Sequence, residues 1–259
     1  MGCFKITGSQ GIAHCGASAL LWHPEGMSGL PMPVLGIDTC GPSGSVALAK
    51  VSAIGGAILG RASLEGRTYS ATLVAAVEKL LQDEGIALAQ VGCIVAVNGP
   101  GSFTGVRVGL SAAKGLAFGA GIPVVAVSRL AVLAHTSGCA NAAFDAHRNE
   151  VFLRLAQPGG EIAEILAGSG DLAGLPAPGR IAVCDESAAA LLASAWPGTA
   201  IDRLPEPTAA DAIGLASPRI RARDFDDITL LDGHYLRRSD AEIFGEKGRP
   251  PAASRSASR

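Results

Sequence analysis

Residues 91–109 constrain the fold more than any other stretch. Positions 91–97 read Val-Gly-Cys-Ile-Val-Ala-Val, apolar at nearly every position rather than at alternate ones. That is the pattern of a strand covered on both faces. The run passes into Asn98-Gly99-Pro100-Gly101, a tight turn, and then into 102–119, where apolar and small residues recur at helical intervals. A doubly covered strand that hands over to a helix after so short a turn belongs in an α/β fold, with helices packed on a parallel or mixed sheet.

The flanking sequence extends that pattern. Short apolar runs at 34–40, 45–51 and 54–64 are separated by Gly41-Pro42-Ser43-Gly44 and by 52–56, which predicts an antiparallel three-stranded meander. A helix is expected over 68–84, where Leu73, Val77, Leu80 and Leu81 are interleaved with polar residues and Gly85 closes the run. After 102–119 come a buried strand at 123–127 and a helix at 128–136 capped by Ser128. Hairpins followed by crossovers give a mixed sheet with helices on both faces. Beyond Gly138 the sequence predicts a hairpin, 141–146 and 150–156, around His147-Arg148-Asn149. Further strands are expected at 161–166 and 181–185, and helices at 186–195 and 208–224, with Pro218 kinking or ending the last; 197–207 looks like linker. The expected layout is a first unit over 33–137 and a smaller second unit with the closing segment over 138–238. Residues 1–32 have no steady period and are expected to be an unstructured extension or a mis-called start before Met27 or Met32. The tail 239–259, rich in Pro, Ser and Arg, cannot bury a core and is expected to be disordered.

Composition removes several classes of function. With 48% hydrophobic residues and a net charge of -2, the chain is neither disordered throughout nor a polyanion binder by overall charge. The longest charge-free stretch, 85–106, is broken by the turn at 98–101, so no membrane span is expected. The six cysteines are scattered without a C-x-x-C pair, which fits reduced thiols in a cytoplasmic protein. No two of the five histidines stand three or four residues apart, and no G-x-S-x-G elbow occurs, so the sequence offers neither a zinc pair nor that serine nucleophile.

Three features carry candidate chemistry. The turn before the second helix, with Gly101, Ser102, Thr104 and Arg107, is either an anion cradle at a helix N-terminus or an ordinary capped turn. Asp38 ends the first strand, where a carboxylate can hold a hydrated metal near a nucleotide or make turn hydrogen bonds. On the second helix Gly105, Gly109, Ala112, Leu116 and Gly119 fall on one face. Glycine in a helix costs roughly 1 kcal/mol relative to alanine, so such a stripe implies a close neighbour. That neighbour is either the chain's own sheet or another protein; with Leu73, Val77 and Leu80 on the first helix, an interface with another protein is the expectation. The cluster Asp145, His147 and Glu150 at the hairpin, and the arginines at 219, 221, 223, 237 and 238, are expected to be solvated surface.

The motif Asn98-Gly-Pro-Gly-Ser-Phe-Thr-Gly-Val-Arg-Val-Gly109, with Gly115-Leu116-Ala117, Ile37-Asp38-Thr39, Asp145-Ala146, Glu150-Val151 and Tyr235-Leu236-Arg237, resembles the TsaB (YeaZ) family over about 34–237. The resemblance implies an actin/hexokinase-like (ASKHA) fold of two ribonuclease-H-like units. It also implies a non-catalytic dimerisation subunit of the machinery that makes threonylcarbamoyladenosine in tRNA. The partners it implies are a TsaD-like catalytic subunit bound through the first two helices and a TsaE-like ATPase, with tRNA reached only through the complex. A homodimer of the isolated chain is a further option, as is a nucleotide at the subunit interface; no cofactor of its own is expected. The chain departs from the family pattern in Tyr69-Ser70 where His-Ser is usual, in its hairpin turn, and in Cys40 near the second glycine of superfamily kinases. The competing functions are a free-standing kinase or ATPase, which would use Asp38 and 102–104, and a glycoprotease-type peptidase.

Overall fold

A computed structural model describes residues 31–65, 69–157 and 159–237. The extension up to residue 30 and the tail from 238 lie outside the described residues, with the expectations attached to them.

The first meander is β1 (Met32–Asp38), β2 (Gly44–Ser52) and β3 (Gly55–Leu64). β1 and β2 run antiparallel, from Met32 opposite Val51 to Asp38 opposite Ser45. β4 (Cys93–Val97) and β5 (Val124–Val127) add in parallel, giving the order β3-β2-β1-β4-β5. Every residue of β4 is buried, as its unbroken apolar run requires. The helices are α1 (Tyr69–Asp83), α2 (Phe103–Ala120) and α3 (Arg129–Ser137). Ser102 and Ser128 stand just outside α2 and α3 as caps, their hydroxyls accepting from the Gly105 and Ala131 N–H groups at 3.3 and 3.4 Å.

The second half repeats this plan. β6 (Ala142–Asp145), β7 (Glu150–Ala156) and β8 (Ile162–Gly168) form a meander, joined in parallel by β9 (Arg180–Val183) and β10 (Ala200–Arg203) in the order β8-β7-β6-β9-β10. Its helices are α4 (Ser169–Leu172), α5 (Glu186–Ala195) and α6 (Ala209–Ala222). β10 lies within the stretch that looks like linker. It is a four-residue edge strand with no buried position, so it carries no apolar alternation to detect. α6 runs through Pro218 because Ile213, Ala216 and Ile220, on either side, are buried in the first core. That cover outweighs the roughly 3 kcal/mol that an interior proline costs.

The closing helices are exchanged between the halves. Leu130 and Leu133 of α3 pack with Ala142, Phe144 and Ala182 of the second sheet. α6, expected with the second unit, returns to the first, where its Ala209 N–H donates to Ser45 Oγ at 2.9 Å. A Cβ on Gly36 would stand 2.6 Å from the Ala209 carbonyl oxygen, so β1 and α6 touch backbone to backbone. Periodicity marks the apolar face of α6 but not the sheet it covers.

Candidate functional site in the cleft between the two sheets

The site is built from the end of β1. Past Asp38 the chain turns beneath the N-terminus of α2, and Thr39 Oγ1 donates to the Gly105 carbonyl at 2.6 Å. A Cβ on Gly105 would lie 2.0 Å from the Thr39 carbonyl oxygen, and one on Gly109 would lie 2.3 Å from Thr39 Oγ1. Gly105 and Gly109 therefore let α2 settle on the protein's own strand end, which corrects the expected place of these two at a partner surface. Leu73, Val77 and Leu80 are likewise buried in the first core, while Ala112 and Leu116 are half-buried against it. The apolar surface left outside is the opposite face of the same two helices. It carries Val74, 55% exposed, and Phe118, 85% exposed, beside exposed Ala71, Ala75, Ser111 and Gly115. Nothing lies within 4 Å of where a Cβ on Gly115 or Gly119 would be. On α2 the small residues Gly105 and Gly109 fit the strand end, whereas on α1 the buried strip is the bulky one, with Leu73, Val77 and Leu80.

Between the sheets opens a cavity of about 880 Å³. Asp38, 2% exposed, accepts the Cys40 N–H at 2.8 Å through Oδ1. Its Oδ2 lies 3.9 Å from Nε of Arg129, itself 5% exposed. Arg129 Nη2 is 3.5 Å from Glu206 Oε2, and its guanidinium carbon is 4.4 Å from the centre of the Phe144 ring. Burial pushes the Asp38 carboxyl up, and the Arg129 charge and the Cys40 N–H only partly offset it. Burial also raises Glu206, against the opposing Arg129 charge. Tyr69 is buried and donates its hydroxyl to the Gly41 carbonyl at 2.9 Å.

Two thiols line the cavity, Cys40 and Cys184. Burial holds Cys40 well above its ordinary value and pushes Cys184 up to about 12, so neither is a thiolate at neutral pH. Among the described residues, no group of three or more His, Cys, Asp or Glu could hold a metal.

The rim shows where the other candidates fall. Gly101 and Ser102 line the cavity, and Thr104 is exposed on the first turn of α2. Arg107 lies 3.8 Å over the Phe103 ring, and its Nε is 3.4 Å from the Tyr235 hydroxyl, so its charge is engaged with an aromatic pair. Across the cleft His147, Arg148 and Asn149 all have φ near +60°, at 60, 58 and 58°. Asp145 accepts the His147 N–H at 2.8 Å and lies 2.9 Å from its Nδ1, while Glu150 pairs with Arg237. Asp145 and His147 thus hold each other at the hairpin tip, while Glu150 faces the C-terminal segment. Arg219 is held by Asp224 and Asp226 at 2.7 and 3.0 Å. Sequence reasoning missed Arg129, Glu206 and Phe144. One signal was available: Arg129 follows a capping serine at a position where the helix dipole favours an anion.

A family model described as "TsaD: tRNA N6-adenosine threonylcarbamoyltransferase" matches residues 61–209, more than half of the chain. The chain is 41% identical over 95 residues to the tRNA threonylcarbamoyladenosine biosynthesis protein TsaB of Haemophilus influenzae, covering 34% of this chain and 40% of that protein. It is 36% identical over 130 residues to TsaB of Bacillus subtilis, covering 49% and 56%. Its fold matches the crystal structure of YeaZ from Pseudomonas aeruginosa with a TM-score of 0.62 and 26% identity, covering 79% of this chain and 100% of that one. The chain belongs to the TsaB/YeaZ family. Its alignments span about half the length of the curated TsaB proteins, while the YeaZ likeness extends over both sheets. The ASKHA-like architecture of two mixed sheets with flanking helices is thereby established. Among the described residues no helix is long and apolar enough to cross a membrane.

Proposed function

We propose that this chain is the non-catalytic adaptor of the assembly that makes threonylcarbamoyladenosine in tRNA. It docks a TsaD-like catalytic subunit through the outer face of α1 and α2, and a TsaE-like ATPase and the tRNA join through that complex. The observation that carries the reading is the apolar outer face itself, with Val74 and Phe118 exposed beside glycines that leave room for a neighbouring helix. The same face would let the chain pair with a second copy when the catalytic subunit is absent, and a nucleotide would sit at a subunit interface if anywhere. The kinase reading loses ground because Asp38 is buried and tied to Arg129. The peptidase reading has neither a thiolate nor a metal cluster in the described cleft to support it.

Two measurements test this. Depleting the protein should lower threonylcarbamoyladenosine in bulk tRNA, read by mass spectrometry. Phe118→Asp should reduce co-purification of the catalytic subunit at least tenfold, the effect expected of a central aromatic anchor, while leaving the thermal midpoint near wild type. Undiminished assembly would remove the outer face from the proposal.

A further inference from the structure

In open α/β sheets ligands bind beyond the carboxyl ends of the strands, and Asp38 stands at that end of β1. A metal-bound nucleotide would require a carboxylate within reach of a hydrated divalent cation. The residues present do not fit that demand. We propose that Arg129 is a built-in counter-ion that occupies the cation's place between Asp38 and Glu206 and closes the cleft to metal-bound nucleotides.

Four segments converge on the guanidinium. Asp38 comes from β1, at 3.9 Å, and Glu206 from the loop between β10 and α6, at 3.5 Å. Phe144 comes from β6, and the fourth is Gly41, where a Cβ would lie 2.4 Å from Nη2. The chain after β1 thus leaves its room to this side chain. Arg129 is the first residue of α3, and its N–H donates to the Gly99 carbonyl at 2.7 Å, so its origin is fixed to the Gly-Pro-Gly turn. The positive end of a helix disfavours a cation, which makes the two carboxylates the reason the arginine is held there. A divalent cation would have to expel a side chain that is 5% exposed. A phosphate would meet a guanidinium already shared by two carboxyl groups.

This inference concerns the isolated chain and stands or falls apart from the adaptor reading. The test is titration of Mn²⁺, with and without ATP, into the full-length protein, followed by calorimetry and by electron paramagnetic resonance. The wild type is expected to show no saturable site up to about 1 mM, the weak end of carboxylate cation sites. R129Q, checked for folding by circular dichroism, is expected to gain one Mn²⁺ site at least tenfold tighter, which D38N/R129Q loses. Should R129Q fail to fold, R129A must meet the same requirement, since it also removes the charge and vacates the same place between the two carboxyl groups. Saturable wild-type binding abolished by D38N would overturn the proposal, as would a folded variant that gains nothing. Stabilisation of the wild type by inorganic phosphate or metal-free ATP, lost in R129Q, would make Arg129 an anion receptor and overturn it too.

Discussion

The two sheets share one strand order and differ in their helices. In the first half α1 and α2 are 15 and 18 residues long; their counterparts α4 and α5 are 4 and 10. The shorter pair is sufficient, because Leu172, Leu192 and Trp196 are buried against the second sheet and the Trp196 indole N–H reaches the Leu172 carbonyl at 3.0 Å. A sheet of this order therefore does not require helices as long as α1 and α2. Their extra length shows up outside, in Val74 and Phe118, and the contrast separates the part of the first half that folds the chain from the part that is free to meet another.

That contrast can be broken at several points. Arg129→Met leaves Asp38 buried without its counter-charge and is expected to cost about 3–5 kcal/mol by chemical denaturation, most of it regained with Asp38→Asn. No recovery in the double variant would mean that the arginine acts through packing alone. Gly109→Leu should cost roughly 3 kcal/mol by overfilling the contact with Thr39, whereas Gly115→Leu should be neutral or stabilise by up to about 1 kcal/mol. Equal effects at the two glycines would erase the distinction between the inner and outer faces of α2. Val74→Ser, on the exposed face, should change stability by no more than about 0.5 kcal/mol while weakening partner capture in a pull-down.

The smallest expected effect is a pH dependence. Burial pushes Glu164 up, but His234 Nε2 at 2.9 Å, hydrogen bonds from Ser128 and Arg154, and the Arg154 charge outweigh it and hold the carboxyl below its ordinary value. A depressed folded value contributes stability that is full above the unfolded carboxylate range and fades as pH falls through the folded one. Denaturant midpoints of Glu164→Gln should therefore vary less than those of the wild type across the acidic range. Parallel profiles would show that this link between α3, β8 and the C-terminal segment carries no proton-linked stability.

Much of the fold was legible in the sequence because it is local. The apolar run of β4, the serine caps of α2 and α3 and the full extent of α5 follow from propensity and pattern. The destination of α6 was not legible, since an apolar stripe of Ala and Ile fits either sheet. The site was less legible than the fold. Asp38 and the Gly-Pro-Gly turn stood out, but Arg129, Glu206 and Phe144 come from distant segments and carry no shared spacing. The small-residue stripe was visible in sequence, yet only the position of Thr39 shows that its neighbour is the chain itself.

The exchange of α3 and α6 has a consequence for synthesis. Residues 32–38 leave the ribosome early, yet the helix that meets Gly36 and Ser45 is complete only at Ala222. One side of the first sheet stays wet until nearly the whole chain has emerged, and a nascent fragment stopped at Ser137 would display Leu130 and Leu133 with no second sheet to receive them. The second sheet has its helices by Arg203, whereas the first waits for α6 to end at Ala222, so the half made first is the half finished last.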